Sequence, residues 1–477
     1  MTRQVAIGCL LIFIFISRTV SALDLFYTSD LHGALSNLPS SGTAPAGLLH
    51  LRSAIIKEKQ KSNALWLDGG GLMLGSAESR VLRRHNPFVP MLVNLGMDLV
   101  VPDAADLFAL DKRLPWTSAN LYVKNKLRFP PYRIFIRDKK KIAVLGLSDP
   151  SSLLGTQVPN DLQITSPGVA AKTWVPQIRK AENPDLLIVV THIRRYASWD
   201  LEATGLEGLA PVLGAQNLAE SVPGIGLLLY GRDHKHSSFL GIVPFSGGTV
   251  MAHGSSYGRD LLVLGWHAGA WTSRVIEAQS LPAEQIEQSL GKSYWDAMHT
   301  PLGLRLKRTS AHKLGLCLNE VLATAVNSAE VVGSALPIVY LKGRQTGPLT
   351  IRNLYQWFPF EDHLQKIQVS QRDLALLAHP AVPYGRKKAP YSRKVYIKLN
   401  QRVNLDLESG GTDLSQRKRH FWLYISDYHL QGGGGIIPML FTHIADQSEG
   451  PSLREEVAHF FQQHMTLPPV CSMLQYI

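Results

Sequence analysis

The chain has 477 residues, 45% of them hydrophobic and 18% charged, enough for about two or three globular domains with sizeable cores. That hydrophobic content excludes disorder, and a single long apolar run at the very start excludes a multi-pass membrane protein. The net charge is +12, and three cysteines, one of them inside that run, are too few for a disulfide framework.

The apolar run predicts an export signal over residues 1–22. Arg3 supplies the positive start, Val5 to Ile16 the hydrophobic stretch, and Val20-Ser21-Ala22 a small-residue cleavage site. About twelve apolar residues are short for a membrane span, so no span is expected after signal removal. The mature chain is expected to begin near Leu23, periplasmic or secreted. Loss of Arg3 and Arg18 takes the charge from +12 to +10. Cys317 and Cys471 remain, and the sequence leaves open whether they pair.

From Leu23 onward, short apolar strands alternate with helical stretches. Leu23–Ser29 reads as a strand, Leu48–Glu58 as a helix, and Ala64–Leu67, Leu99–Val101, Lys141–Leu147, Leu186–Thr191 and Gly226–Tyr230 as further strands. Ile134, Phe135 and Ile136 before a turn at Asp138-Lys139 read as a hairpin. Thr249–Ala252 and Leu261–Trp266 close the series. Such alternation predicts an α/β layered domain with its functional residues where strands end in loops. A polar helix over Pro282–Met298 reads as a connector. Beyond it, a strand near Thr300–Lys307, a helix over Leu314–Val326, alternation at Val395-Ile397-Leu399 and the run Gly432–Gly435 predict a smaller α+β unit. The expected division is 23–275, a connector over 276–305, and 306–477.

Positive charge gathers at Lys124–Lys141, Arg386–Arg402 and Arg417-Lys418-Arg419. A basic exported protein can meet anionic envelope polymers or phosphorylated substrates. No aromatic-interleaved module accompanies the clusters, so nucleic acid is not an expected partner.

The strand ends carry Asp30, His32, His192, His234 and His236. A carboxylate and four imidazoles gathered from the ends of three strands suit Zn, Mn or Fe. The order Asp-x-His, Thr-His, His-x-His carries more weight than any of these residues alone.

With these pieces in that order, the chain resembles the secreted metallophosphoesterases of the 5′-nucleotidase and UDP-sugar hydrolase family. Thr28-Ser29-Asp30-Leu31-His32-Gly33 is similar to the family's opening metal motif, Thr191-His192 to its middle histidine, and His234-Lys235-His236 to its closing pair. Ser118-Ala119-Asn120, Gly254 and Tyr257-Gly258 are similar to further landmarks. In the second half Gly347-Pro348-Leu349-Thr350, Phe358-Pro359-Phe360 and Ser426-Asp427-Tyr428 resemble the nucleotidase substrate domain. The resemblance implies a four-layer metallophosphoesterase sandwich followed by a smaller α+β C-terminal substrate domain. It also implies metal-dependent hydrolysis of nucleotide phosphoesters by a two-ion centre. Thiosulfohydrolases of sulfur oxidation share the fold and also use a metal pair.

The resemblance breaks at the chemistry. Where the family places a bridging Asp, the segment Leu67-Asp68-Gly69-Gly70-Gly71 has Gly71. The Asn ligand becomes Ala104, the catalytic His Ala105, and the Asp that orients it Phe108. Asp68, Asp103 and Asp106 are the carboxylates near enough in sequence to substitute. Without a bridge, two cations would repel each other, so at most one divalent ion is expected, on Asp30, His32 and His236. In the substrate domain Phe360 matches one ring of the family's base clamp, while Gly433 and Ile436 stand where a turn and the second ring belong. Arg344 or Lys342 is the available phosphate contact. The expectation is a divergent member with weak or lost catalysis; the alternatives are a non-catalytic periplasmic binding or scaffold protein with an envelope partner, and a hydrolase of another substrate such as a sulfur-oxidation thiosulfohydrolase.

Overall fold

The computed structural model describes residues 23–36, 45–82, 85–153, 159, 161–195, 214–233, 236–244, 246–267, 269–326, 331–337, 344–358, 362–370, 395–399, 420–427, 443–444, 452–463 and 465–476. Two large sheets organise the first part. One runs in the order Ala270–Glu277, Asp260–His267, Leu23–Thr28, Leu65–Asp68, Leu99–Val100. The other runs Ser238–Ile242, Val250–His253, Leu227–Tyr230, Leu186–Thr191, Lys140–Leu147, Tyr132–Arg137.

Alternation along each strand sets the layers. Leu25 and Tyr27 join Leu65 and Leu67 in the core between the sheets, against Ile142, Val144, Ile188, Val190, Leu227 and Leu229. Phe26 and Trp66 face the other way, onto Leu48, Leu51 and Ile55 of the helix Leu48–Lys59. On the far side Ala143, Leu145 and Leu187 meet Ala171, Val175 and Ile178 of Pro167–Glu182. The result is helix, sheet, sheet, helix: the expected four-layer sandwich. Strands apolar on both faces require such double cover.

The hairpin forms as expected. Tyr132–Arg137 pairs with Lys140–Leu147, and Asp138 and Lys139 both take positive φ (47° and 62°), which suits a two-residue turn. The connector departs from expectation. It is two helices, Ala283–Leu290 and Lys292–Met298, broken at Gly291, whose φ of 77° no helix interior accommodates. Tyr294 and Met298 are buried in the first core, against which Ile351 and Tyr355 also pack.

The smaller part has a three-stranded sheet in the order Arg344–Thr350, Pro301–Ser310, Leu474–Tyr476. A five-stranded sheet runs Val395–Leu399, Val331–Pro337, His420–Ser426, Leu364–Ser370, His443–Ile444. Helices Ala311–Ala325 and Leu453–Gln462 share a core of Leu314, Leu318, Val321, Val457, Phe460 and Phe461. Cys317 and Cys471 form a disulfide across 154 residues, which settles the pairing that the sequence left open. In a chain-entropy account a loop of that size is worth roughly 5 kcal/mol. Among the described residues, no helix is long and apolar enough to cross a membrane.

Candidate functional site

Parallel pairing within each sheet brings the carboxyl ends of six strands to one rim. In one sheet Thr28 lies opposite Asp68, and Asp68 opposite Val100. In the other, Leu147 and Tyr230 flank Thr191. The loops that follow therefore deliver Asp30, Gly69–Gly71 and Asp103 from one side, and Asp149, His192 and Arg232 from the other. Backbone strain collects here. Asp30, His32, Arg232 and Tyr257 all have φ between 53° and 65°; His32 and Tyr257 lie in reverse turns, whereas Asp30 and Arg232 lie outside any turn. Left-handed backbone outside turns is held by its surroundings and concentrates at functional sites.

His192 is the hub. Its Nε2 lies 2.9 Å from Asp30 Oδ1, and its Nδ1 lies 3.3 Å from Asp103 Oδ2. Burial alone would discharge this ring, but the Asp103 and Asp30 carboxylates outweigh it and hold the imidazole well above its usual range. Burial would likewise raise Asp103, but His192 and then Arg232 hold it well below the usual carboxylate range. The Arg232 backbone N–H donates to Asp30 Oδ2 at 2.9 Å. Its buried guanidinium donates to Asp149 and, at 2.7 Å, to Ser151 Oγ. Asp149 is itself held by Ser151, whose N–H and Oγ donate at 2.8 and 2.9 Å. Asn120 ties down the adjoining Ser148, accepting from its N–H at 2.8 Å, so the Ser-Ala-Asn landmark positions this loop.

Glycines let the rim close. A Cβ on Gly71 would stand 3.0 Å from His192 Nε2 and 3.3 Å from the Asp30 Cα. One on Gly231 would stand 3.0 Å from His192 Cδ2, and one on Gly254 2.8 Å from Ser29 Oγ. The bare Cα at Gly254 explains that landmark, and Tyr257 donates its N–H to the Asp30 carbonyl at 2.7 Å.

The structure brings Asp30 and His192 together. His32 places Nδ1 2.9 Å from the Leu74 carbonyl and its ring 4.8 Å from that of Tyr257. His236 is 73% exposed, with Nδ1 3.3 Å from Asp260. Ala104 is fully buried, with its N–H on Ser152 Oγ. Ala105 opens the short 3-10 helix Ala105–Ala109, and Phe108 is 50% exposed. Arg344 begins a strand, opposite Ser310. His234, Phe360, Gly433 and Ile436 lie outside the described residues.

Of the three candidate substitutes, only Asp103 faces His192. Asp68 accepts from Thr28 Oγ1 (2.7 Å) and Gly70 N (2.9 Å), and burial pushes its carboxyl up to about 8. Asp106 accepts from Met73 N (2.7 Å) and Asp103 N (2.9 Å), and burial with the neighbouring Asp103 pushes it up to about 6. Both tether loops. Arg232 and Asp149 were not singled out from the sequence, although each stands two residues beyond a strand end, as Asp30 does. The focus on histidines hid them.

A two-ion centre needs donors that converge on open space around a bridging carboxylate. Here both Asp30 oxygens are engaged by His192 and Arg232, His192 touches carboxylates through both nitrogens, and the ring fills the space beside Gly71. Among the described residues no group of three His, Cys, Asp or Glu side chains is placed to hold a metal ion. These residues do not fit a pair of divalent ions.

No family model matches the chain. A curated 5′-nucleotidase from Vibrio cholerae is 31% identical over 221 residues, 42% of this chain and 39% of that protein. The matched stretch thus spans less than half of the relative's length. Among solved structures, a Staphylococcus aureus 5′-nucleotidase superposes with a TM-score of 0.66 at 15% identity, over 96% of this chain and 99% of that one. The Thermus thermophilus sulfate thiohydrolase SoxB gives 0.59 at 18% identity, over 94% and 96%. At such identities the structural likeness speaks for the fold alone. The chain is thus similar to 5′-nucleotidases in part of its sequence and, over nearly its whole length, in fold.

Proposed function

We infer that the chain is an exported member of the 5′-nucleotidase family that has lost two-ion hydrolysis and keeps the scaffold to bind a nucleotide or another phosphorylated small molecule. The observation that carries this reading is the His192 ring, which stands 3.0 Å from where a side chain at Gly71 would begin. The position from which a carboxylate would bridge two ions has no side chain, and its space is taken. Ala104 and Ala105 offer neither a ligand nor an acid at the same rim. Lineage and a net charge of +12 support an anionic ligand. Hydrolysis of a sulfur substrate also calls for a metal pair, so the same geometry speaks against it.

The test is turnover of AMP and UDP-glucose by the purified full chain with added Mn or Zn, beside binding of the same compounds by calorimetry. The expected kcat/KM lies at least ~10³-fold below that of an intact family member, since losing a single charge-stabilising contact already costs ~10²–10³. Turnover restored by Mn and abolished by His32→Ala would overturn the reading.

A further inference from the structure

The rim lacks the family's bridging Asp and Asn ligand, at Gly71 and Ala104, without becoming apolar. Three carboxylates, Asp30, Asp103 and Asp149, still converge there from three loops, and all three lie around Arg232 and His192. Buried carboxylates without a counter-cation are costly, and in a metal centre the ions supply that charge. Here the Arg232 guanidinium is buried. It reaches Asp149 and Ser151 through Nη1, while its own backbone N–H holds Asp30. An arginine is always protonated and presents a fork of donors that matches carboxylate geometry.

We propose that Arg232 is the resident cation of this centre. Its guanidinium, with the His192 ring, holds together the strand ends that divalent ions would otherwise join, and makes the rim a metal-independent structural lock. The proposal deepens the functional reading above and rests on it. Geometry and charge both support it. Arg232 follows Leu227–Tyr230, Asp149 follows Lys140–Leu147, His192 follows Leu186–Thr191, and Asp30 and Asp103 come from the facing sheet. The His192 pairs and the Arg232 N–H join the two sheets across their common edge, while the Arg232–Asp149 pair ties together two strand ends within one of them. A divalent ion brought into the cluster would meet a fixed positive charge that cannot titrate away, and Asp30 would have to release His192 and the Arg232 N–H to bind it.

The experiment uses the full mature chain, purified without added metal and then split between EDTA and Mn or Zn. Elemental analysis and thermal melting are read on wild type, Arg232→Met, Arg232→Lys and Asp149→Asn. The expected result is no stoichiometric metal and a wild-type Tm that neither EDTA nor metal moves. Arg232→Met should lower Tm by roughly 5–15 °C, since it strands buried carboxylates, and Arg232→Lys by less. If Arg232→Met does not fold, Asp149→Asn reads the same pair from its other side. One or more tightly held equivalents of Mn, Zn or Fe, with a Tm that EDTA lowers, would overturn the proposal. So would an Arg232→Met protein that melts like wild type. Nucleotide turnover by the metal-free protein would overturn the functional reading while supporting the lock. Bound metal without turnover would overturn the lock and leave that reading standing.

Discussion

The space between the two large sheets and the rim at their carboxyl ends are made by the same strands, yet they answer to different constraints. Between the sheets, Leu25, Tyr27, Ile188, Val190 and Leu229 are fully buried and need only shape and apolarity. At the rim, a few residues farther along the same strands, Asp30, His192 and Arg232 need partners of opposite charge. Apolar packing tolerates many sequences of similar volume and so keeps the architecture. A charge cluster tolerates replacement only if its sum is restored, here with a guanidinium where the family's chemistry uses metal. The fold is shared over nearly the whole length of its structural relatives, whereas the rim of the proposed lock depends on a few charged residues.

The interior should show the larger response. Ile188 is fully buried, on the inner face of the six-stranded sheet. Ile188→Ala should cost about 2–5 kcal/mol, read as a lower midpoint in urea unfolding with an unchanged slope. A loss below about 1 kcal/mol would mean that the sheets close over the gap, and that the interior is less tightly specified than the rim.

Gly71→Asp probes the rim directly by offering a carboxylate where the family bridges its ions. Its φ of 64° disfavours any side chain, and the new Cβ would crowd His192 Nε2 at 3.0 Å. The expected outcome is a loss of about 1–3 kcal/mol and no turnover in Mn, because Ala104 and Ala105 remain. Turnover from this single change would mean that the rim reverts to chemistry as easily as the interior accepts a new apolar residue.

The same contrast explains what was legible in the sequence. Alternation of apolar strands with helical stretches predicts the α/β layers, the Asp138-Lys139 hairpin and the rim at which Asp30 and His192 meet, while the four-layer sandwich is what the resemblance implies. The break at Gly291 was hidden, because the polar residues around it keep helical spacing on both sides. The disulfide could not be derived, since pairing over 154 residues depends on how Ala311–Ala325 packs against the C-terminal turn. Arg232 was missed for a different reason. Residue type suggests a ligand, but only three-dimensional proximity shows an arginine acting as the cation, and surface arginines look the same in sequence.

The smallest expected effect sharpens the comparison from the outer face of the first sheet, where Glu78 is a buried carboxylate with no guanidinium partner among the described residues. Glu78 is 1% exposed, in the first turn of Ala77–Val81, and accepts from the Ser36 N–H at 3.1 Å. Burial pushes its carboxyl up to about 7 from an ordinary 4.5, against the opposing pull of its hydrogen bonds. The folded state therefore holds more protons than the unfolded state between those two values, and stability falls as pH rises from about 4.5 through about 7, then levels off. Glu78→Gln keeps an acceptor for Ser36 without the charge. The variant should match wild type near pH 4.5 and gain on it progressively, by about 1–2 kcal/mol above pH 7, in urea unfolding at pH 5 and pH 8. Parallel curves at both pH values would mean that Glu78 keeps its charge when buried. A lone interior carboxylate would then need no cation, and the argument that the rim requires Arg232 would lose its energetic basis.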